Sequence, residues 1–358
     1  MSSPIQLNRC AWMCAVIFLV VIAAGEMTAR RLLPVVPGCS EAPRNPFRFR
    51  GWPEYMAGVE TTGASARLLL ISNSQAYSGE QPASKSYPAI LQRTMTERHI
   101  GGFPSWNVLN WSIDGTTSME YMLMAADARQ ADPAMVLAVV GFADFRAANN
   151  GKGFAFCRSD VPRLAARWRV VKNLPVAFVR RHFKVEDILT SWISDQLAMR
   201  RLRDYGWSWL DVRFPGAQNM FYAPLVSYRF WEIKAKPLVP PARFPVRNGE
   251  GEELLDFTYD ERSTVLLREY LQQLSRLPCK VVVVSAPVRA GSQDKRLVFQ
   301  QRFQEDLARL APECELTLWN MQDALTRVDF ITSSHFNVRN HELFARLLAE
   351  RIQGETGR

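Results

Sequence analysis

The strongest local signal for chemistry in this chain lies at Ser74. The apolar run Leu68-Leu69-Leu70-Ile71 stops at Ser72-Asn73-Ser74-Gln75, so a buried strand is predicted to end there and a helix to begin. Open α/β sheets bind their ligands at the carboxyl ends of such strands. A serine hydroxyl placed there becomes a nucleophile when a neighbouring base takes its proton, although a serine at a strand end also commonly caps the next helix. Three more polar segments stand at comparable places. Asn110-Trp111-Ser112-Ile113-Asp114-Gly115 closes a second apolar run, Gly141-Phe142-Ala143-Asp144 follows a third, and Asp329-Phe330-Ile331-Thr332-Ser333-Ser334-His335-Phe336-Asn337 precedes the last helical pattern. Each has an ordinary reading beside a chemical one, since glycines often precede helices and histidines often cap or pack.

The elements that must position these segments alternate in type. Strands are predicted at Ala66–Ile71, Trp106–Trp111 and Met135–Val140, with helices at Tyr87–Thr96 and Ser118–Arg129 between them. The rhythm resumes with a helix Thr264–Leu277, a strand Lys280–Ser285, a helix Val298–Leu310, a strand Leu316–Trp319 and a helix Asn340–Ile352. This order predicts an α/β fold, a doubly wound parallel sheet of about five strands with right-handed crossovers. Regularity lapses from 151 to 257, which reads as a mainly helical insertion within a domain 65–358. Ile188, Leu189, Trp192, Ile193 and Leu197 give Val185–Leu202 a helical period, and Trp207, Trp209, Phe221 and Tyr222 make the following stretch aromatic.

With 358 residues, 47% hydrophobic and 22% charged, the chain can bury a sizeable core. The net charge of +9 is concentrated. Residues 151–250 hold 18 Lys and Arg against 8 Asp and Glu, a net of +10. Such a patch suits an anionic surface or polymer, and equally a solvated face. No nucleic-acid module accompanies it, so nucleic acid is not an expected partner. The uncharged stretch Cys10–Ala24 predicts a membrane segment, read as a signal anchor over 1–34, with a cleaved signal ending near Ala23-Ala24-Gly25 as the rival; 35–64 is a Pro- and Gly-containing linker. Cys279 and Cys314 precede adjacent predicted strands, where a disulfide and two free thiols both fit. The histidines and cysteines lack metal-ligand spacing and Gly101-Gly102 reads as a turn, so no metal and no cofactor are expected.

The four polar segments, taken in order, resemble the blocks of the SGNH (GDSL-type) hydrolases over roughly 65–150 and 260–352. The resemblance implies an SGNH, flavodoxin-like sheet with Ser74 as nucleophile, the backbone N–H groups of Ser74 and Gly115 as oxyanion donors, and His335 as base. The chain departs from the family at three positions: Asn73 replaces the Asp beside the nucleophile, Ala143 the Asn that donates to the oxyanion, and Thr332 the acid three residues before the histidine. Asn73, Asn149 and Asn150 are the neighbouring amides able to replace the missing donor, and Asp329 is the acid expected to orient His335.

An N-terminal anchor with a large insertion looks most like the cell-envelope acyltransferases and esterases of that superfamily. The resemblance implies acyl, in particular acetyl, esters on exported polysaccharide as substrates, a multi-pass membrane acyltransferase as partner, attachment to the membrane through the N-terminal helix, and an extracytoplasmic location for the bulk of the chain. The aromatic, basic insertion suits a negatively charged sugar polymer. A catalytically inactive scaffold or polysaccharide-binding protein on the same fold is the other class that the replacements allow.

Overall fold

Three runs of consecutive apolar residues form the middle of the molecule, because strands covered on both faces need apolar side chains on both. In the computed structural model, which describes residues 4–32, 66–77, 85–112, 116–147, 150, 171–199, 258–287, 297–325 and 336–356, these runs are neighbouring strands of one sheet. In chain order the elements are α1 (Pro4–Leu32), β1 (Ala66–Ser72), the one-turn α2 (Ser74–Tyr77), α3 (Tyr87–Glu97), β2 (Trp106–Ser112), α4 (Ser118–Asp127) and β3 (Met135–Val140). They continue with α5 (Val176–His182), α6 (Val185–Gln196), α7 (Glu261–Leu274), β4 (Lys280–Ser285), α8 (Leu297–Glu313), β5 (Thr317–Asn320) and α9 (Val338–Thr356).

The sheet is entirely parallel with strand order β2-β1-β3-β4-β5. Alternate side chains of each strand enter two separate cores, as the period of two demands. Leu69, Ile71, Val136 and Val283 face one core with α4, α7 and α8, whereas Leu68, Leu70, Leu137 and Val284 face the other with α3 and α9. The doubly wound α/β sheet predicted from the alternation is thus present, with all five strands within one or two residues of their expected positions.

Helix starts were less legible. Helix α7 begins three residues before the expected Thr264 because Asp260 caps it, its Oδ1 accepting from the Ser263 backbone N–H at 2.8 Å. Thr117 and Glu120 form a reciprocal capping box at the start of α4. Within the insertion the described residues 171–199 are largely helical, and the aromatic stretch around 207–222 lies outside the described residues. Cys279 and Cys314 are free thiols. Cys314 still belongs to the last turn of α8, its backbone N–H bonded to the Leu310 and Ala311 carbonyls, so it stands before β5 begins; burial pushes both thiols up in pKa.

The N-terminal helix is 29 residues long, and its Ala11–Leu32 portion has a mean hydropathy of 2.0, long and apolar enough to cross a membrane. Its side chains Trp12, Phe18 and Leu19 are exposed.

Candidate active site

The order β2-β1-β3-β4-β5 reverses direction beside β1, which creates a crevice between the loops after β1 and β3 at the carboxyl edge of the sheet. Ser74 occupies the first of these loops. Chain direction turns immediately after Ser72: the Gln75 N–H donates to Asn73 Oδ1 (3.0 Å) and the Ala76 N–H to the Asn73 carbonyl (3.1 Å). Asn73 therefore caps α2, and Ser74 is its first helical residue. The capping position is thus Asn73, one residue before Ser74.

The turn is tied to every strand around it. Asn73 Nδ2 donates to Asp144 Oδ2 (2.9 Å), linking the loop after β1 to the loop after β3. Asn110, at the end of β2, donates from Nδ2 to the Ala76 carbonyl (3.2 Å), and Gln75 Nε2 donates to the Pro287 carbonyl beyond β4 (2.9 Å). Thr116 Oγ1 donates to the Ser72 carbonyl at 3.5 Å, which holds the residue following Gly115 beside the end of β1. Side chains whose rotamers are fixed by such bonds are how a scaffold keeps a reacting group in place.

Asp144 is the centre of this arrangement. Its Oδ2 also accepts from the Gly141 N–H (2.8 Å) and lies 3.1 Å from Tyr121 Oη. Burial lifts its pKa to about 6, against the opposing pull of the bonds from Asn73, Gly141 and Tyr121 and of the Arg146 charge. Tyr121 Oη lies 2.8 Å from the Val139 carbonyl as well. A phenol has one proton, so with ionised Asp144 it serves one acceptor at a time.

The amides named as replacements for the missing oxyanion donor divide. Asn150 is ruled out: its Nδ2 donates to the Phe145 carbonyl (3.2 Å) and to Ser263 Oγ (2.7 Å), while its Oδ1 accepts from Ser118 Oγ (3.0 Å). Both amide protons are occupied in joining three elements, and sequence proximity to Ala143 could not reveal that. Asn73 directs one proton to Asp144. Asn149 lies outside the described residues, as do Gly115, Asp329 and His335.

The chain becomes described again one residue after His335. Phe336 is buried with its ring 6.2 Å from that of Tyr87 and 5.4 Å from that of Phe344. Tyr87 Oη in turn lies 3.1 Å from Ser72 Oγ, two residues before Ser74. The other histidines have structural partners: His341 Nδ1 accepts from the Tyr87 N–H (3.1 Å), His182 Nε2 is 3.2 Å from Glu269 Oε2, and His99 takes a left-handed backbone after α3. Among the described residues, no three His, Cys, Asp or Glu side chains gather as a metal site.

No protein-family model matches the chain, and no curated protein matches it. Solved structures do. The fold is similar to LAE5, an alpha/beta hydrolase enzyme from the metagenome of Lake Arreo, Spain, at 11% identity and a TM-score of 0.40, covering 83% of this chain and 99% of that one. It is similar to a catalytic mutant of Axe2, an acetylxylan esterase from Geobacillus stearothermophilus, at 12% identity and a TM-score of 0.43, covering 83% and 98%. A third, TesA, gives 11% identity and a TM-score of 0.41, covering 80% and 99%. Likeness at this level assigns neither an activity nor a substrate.

Sequence reading placed Ser74 where a strand ends and a helix begins, as the structure has it, and missed what fixes that turn. Asp144 was visible only as part of a departed motif, and Tyr121 and Gln75 carried no signal at all. A residue pair such as Asn73 and Asp144, 71 positions apart, is joined only by strand order.

Proposed function

We propose that the chain is a membrane-anchored serine esterase or O-acyltransferase acting on acyl esters, in particular acetyl esters, of exported or cell-envelope polysaccharide. The observation that carries the reading is Ser74 at the first position of α2, beside the switch point of the sheet, with the capping role taken by Asn73. Phe336 against Tyr87 adds support, since it anchors the residue after His335 one side chain away from the end of β1.

In this mechanism His335 takes the proton of Ser74 as its Oγ attacks the ester carbonyl, and Asp329 orients the imidazole. The negative charge on the carbonyl oxygen is held by the backbone N–H groups of Ser74 and Gly115. His335 then protonates the departing alcohol. Water or a sugar hydroxyl, deprotonated by the same histidine, attacks the acyl-serine and regenerates Ser74. A multi-pass membrane protein is the partner that would supply acyl groups from the far side of the bilayer.

The second reading is a binding protein on this fold without turnover. It is favoured by one observation, the fully occupied amide of Asn150, which removes one of the three amides able to replace the missing oxyanion donor. Losing one side-chain donor costs about 10²–10³ in rate. Labelling of the purified full chain by a fluorophosphonate decides between them. Labelling that is lost in both Ser74→Ala and His335→Ala supports the enzyme; a folded native chain that takes no label refutes it.

A further inference from the structure

Helix α6 carries an apolar face that no part of the described protein covers. Val185, Leu189, Trp192 and Ile193 are 70%, 53%, 50% and 49% exposed. Their spacing of four, three and one places them on one side of a helix about 18 Å long. The helix is not loose, because Ile188 on its flank packs against the core shared with α4 and α7, and Phe178 and Phe183 of the preceding turn are buried there. The exposed face is therefore held outward by a seated element.

Its neighbour says what lies outside. Glu26, at the carboxyl end of the apolar stretch of α1, accepts hydrogen bonds from the backbone N–H groups of Ala198 (2.8 Å) and Met199 (3.1 Å), just beyond the end of α6. At the same level a Cβ added to Gly25 would stand 2.5 Å from Met199 Sδ, so the glycine admits a close approach of the two segments. Glu26 is the first charged residue after Arg9 in α1, so the charge-free part of the Ala11–Leu32 candidate span ends there. The end of α6 is fastened at that rim.

We infer that α6 lies in the headgroup region of the same bilayer that α1 crosses, with Val185, Leu189, Trp192 and Ile193 among the acyl chains; the inference rests on α1 being a membrane span. A tryptophan on an apolar face at the membrane boundary is the usual side chain for that depth. Arg31 at the end of α1 and Arg180 and Lys184 before α6 are exposed cations placed to meet lipid phosphates, and the +10 of residues 151–250 favours an anionic leaflet. Fastened at α1 and again at α6, the domain is fixed in height and rotation over the membrane instead of swinging on a single helix.

The test is photocrosslinking of the full chain in vesicles of phosphatidylethanolamine and phosphatidylglycerol, with p-benzoylphenylalanine placed singly at Leu189, at Val20 in α1, or at Val298, an exposed position on α8. Phospholipid adducts by intact mass at 20 and 189, and none at 298, are the expected result. An adduct at 20 without one at 189 overturns the inference, and so does a covalent dimer through 189, which would make the face an interface between copies, or an equal adduct at 298. No adduct at 20 removes the membrane span itself and the inference with it, a failure distinguishable from the others. Since all three side chains are exposed, none of the substitutions disturbs the core.

Discussion

The edge of the sheet around Ser74 and the surface of α6 treat their side chains in opposite ways. At the edge, polar side chains reach across elements: Asn73, Gln75, Asn110, Thr116 and Asp144 each hold a backbone or side-chain partner on another element. On α6, apolar side chains are left half or more exposed among the described residues while the helix beneath them is packed. A buried polar group without a partner costs about 1–3 kcal/mol, so the edge is rigid by necessity. Exposed apolar area costs about 25 cal/mol per Å² only where the surrounding solvent is water. One region is held by hydrogen bonds between elements, and the other turns apolar area outward.

Substitutions at the sheet edge have the largest expected effects. In the enzyme reading, Ser74→Ala lowers turnover of an acyl ester by on the order of 10⁶, and His335→Ala by a similar amount, because the pair acts as one unit. Steady-state hydrolysis of a chromogenic acetyl ester measures both. Asp144→Ala leaves the donors of Asn73, Gly141 and Tyr121 facing a void and is expected to cost about 3–5 kcal/mol of stability in chemical denaturation, with loss of serine labelling even where the chain remains folded.

A smaller effect comes through pH. Asp144 ionises at about 6 in the folded chain and near the ordinary carboxylate value when unfolded. Between these values the folded chain keeps a proton that the unfolded chain has released, so raising the pH favours unfolding. Stability therefore falls by roughly 3 kcal/mol at most from about pH 4 to about pH 6 on account of this group. Asp144→Asn removes that slope, as denaturant midpoints across the range will register. The smallest effect belongs to α6: Leu189→Ser and Ile193→Ser change stability in detergent by about 1 kcal/mol at most, because each side chain is about half exposed.

What the amino-acid order determined by itself was whatever depends on neighbours in sequence. The runs Leu68–Ile71, Met135–Val140 and Val281–Val284 are strands because every side chain in them must be covered, and the 3.6-residue pattern of α3, α7 and α9 follows from one buried face. The strand-to-helix turn at Ser74 was legible for the same reason, since the end of an apolar run is a local event. Tertiary structure alone decided that Asn73 reaches Asp144, that Asn150 is occupied by Phe145 and Ser263, and that Glu26 meets Ala198. Those bonds join residues 71, 113 and 172 positions apart or choose among several competent amides, and a hydrogen bond carries no periodicity by which a sequence could announce it.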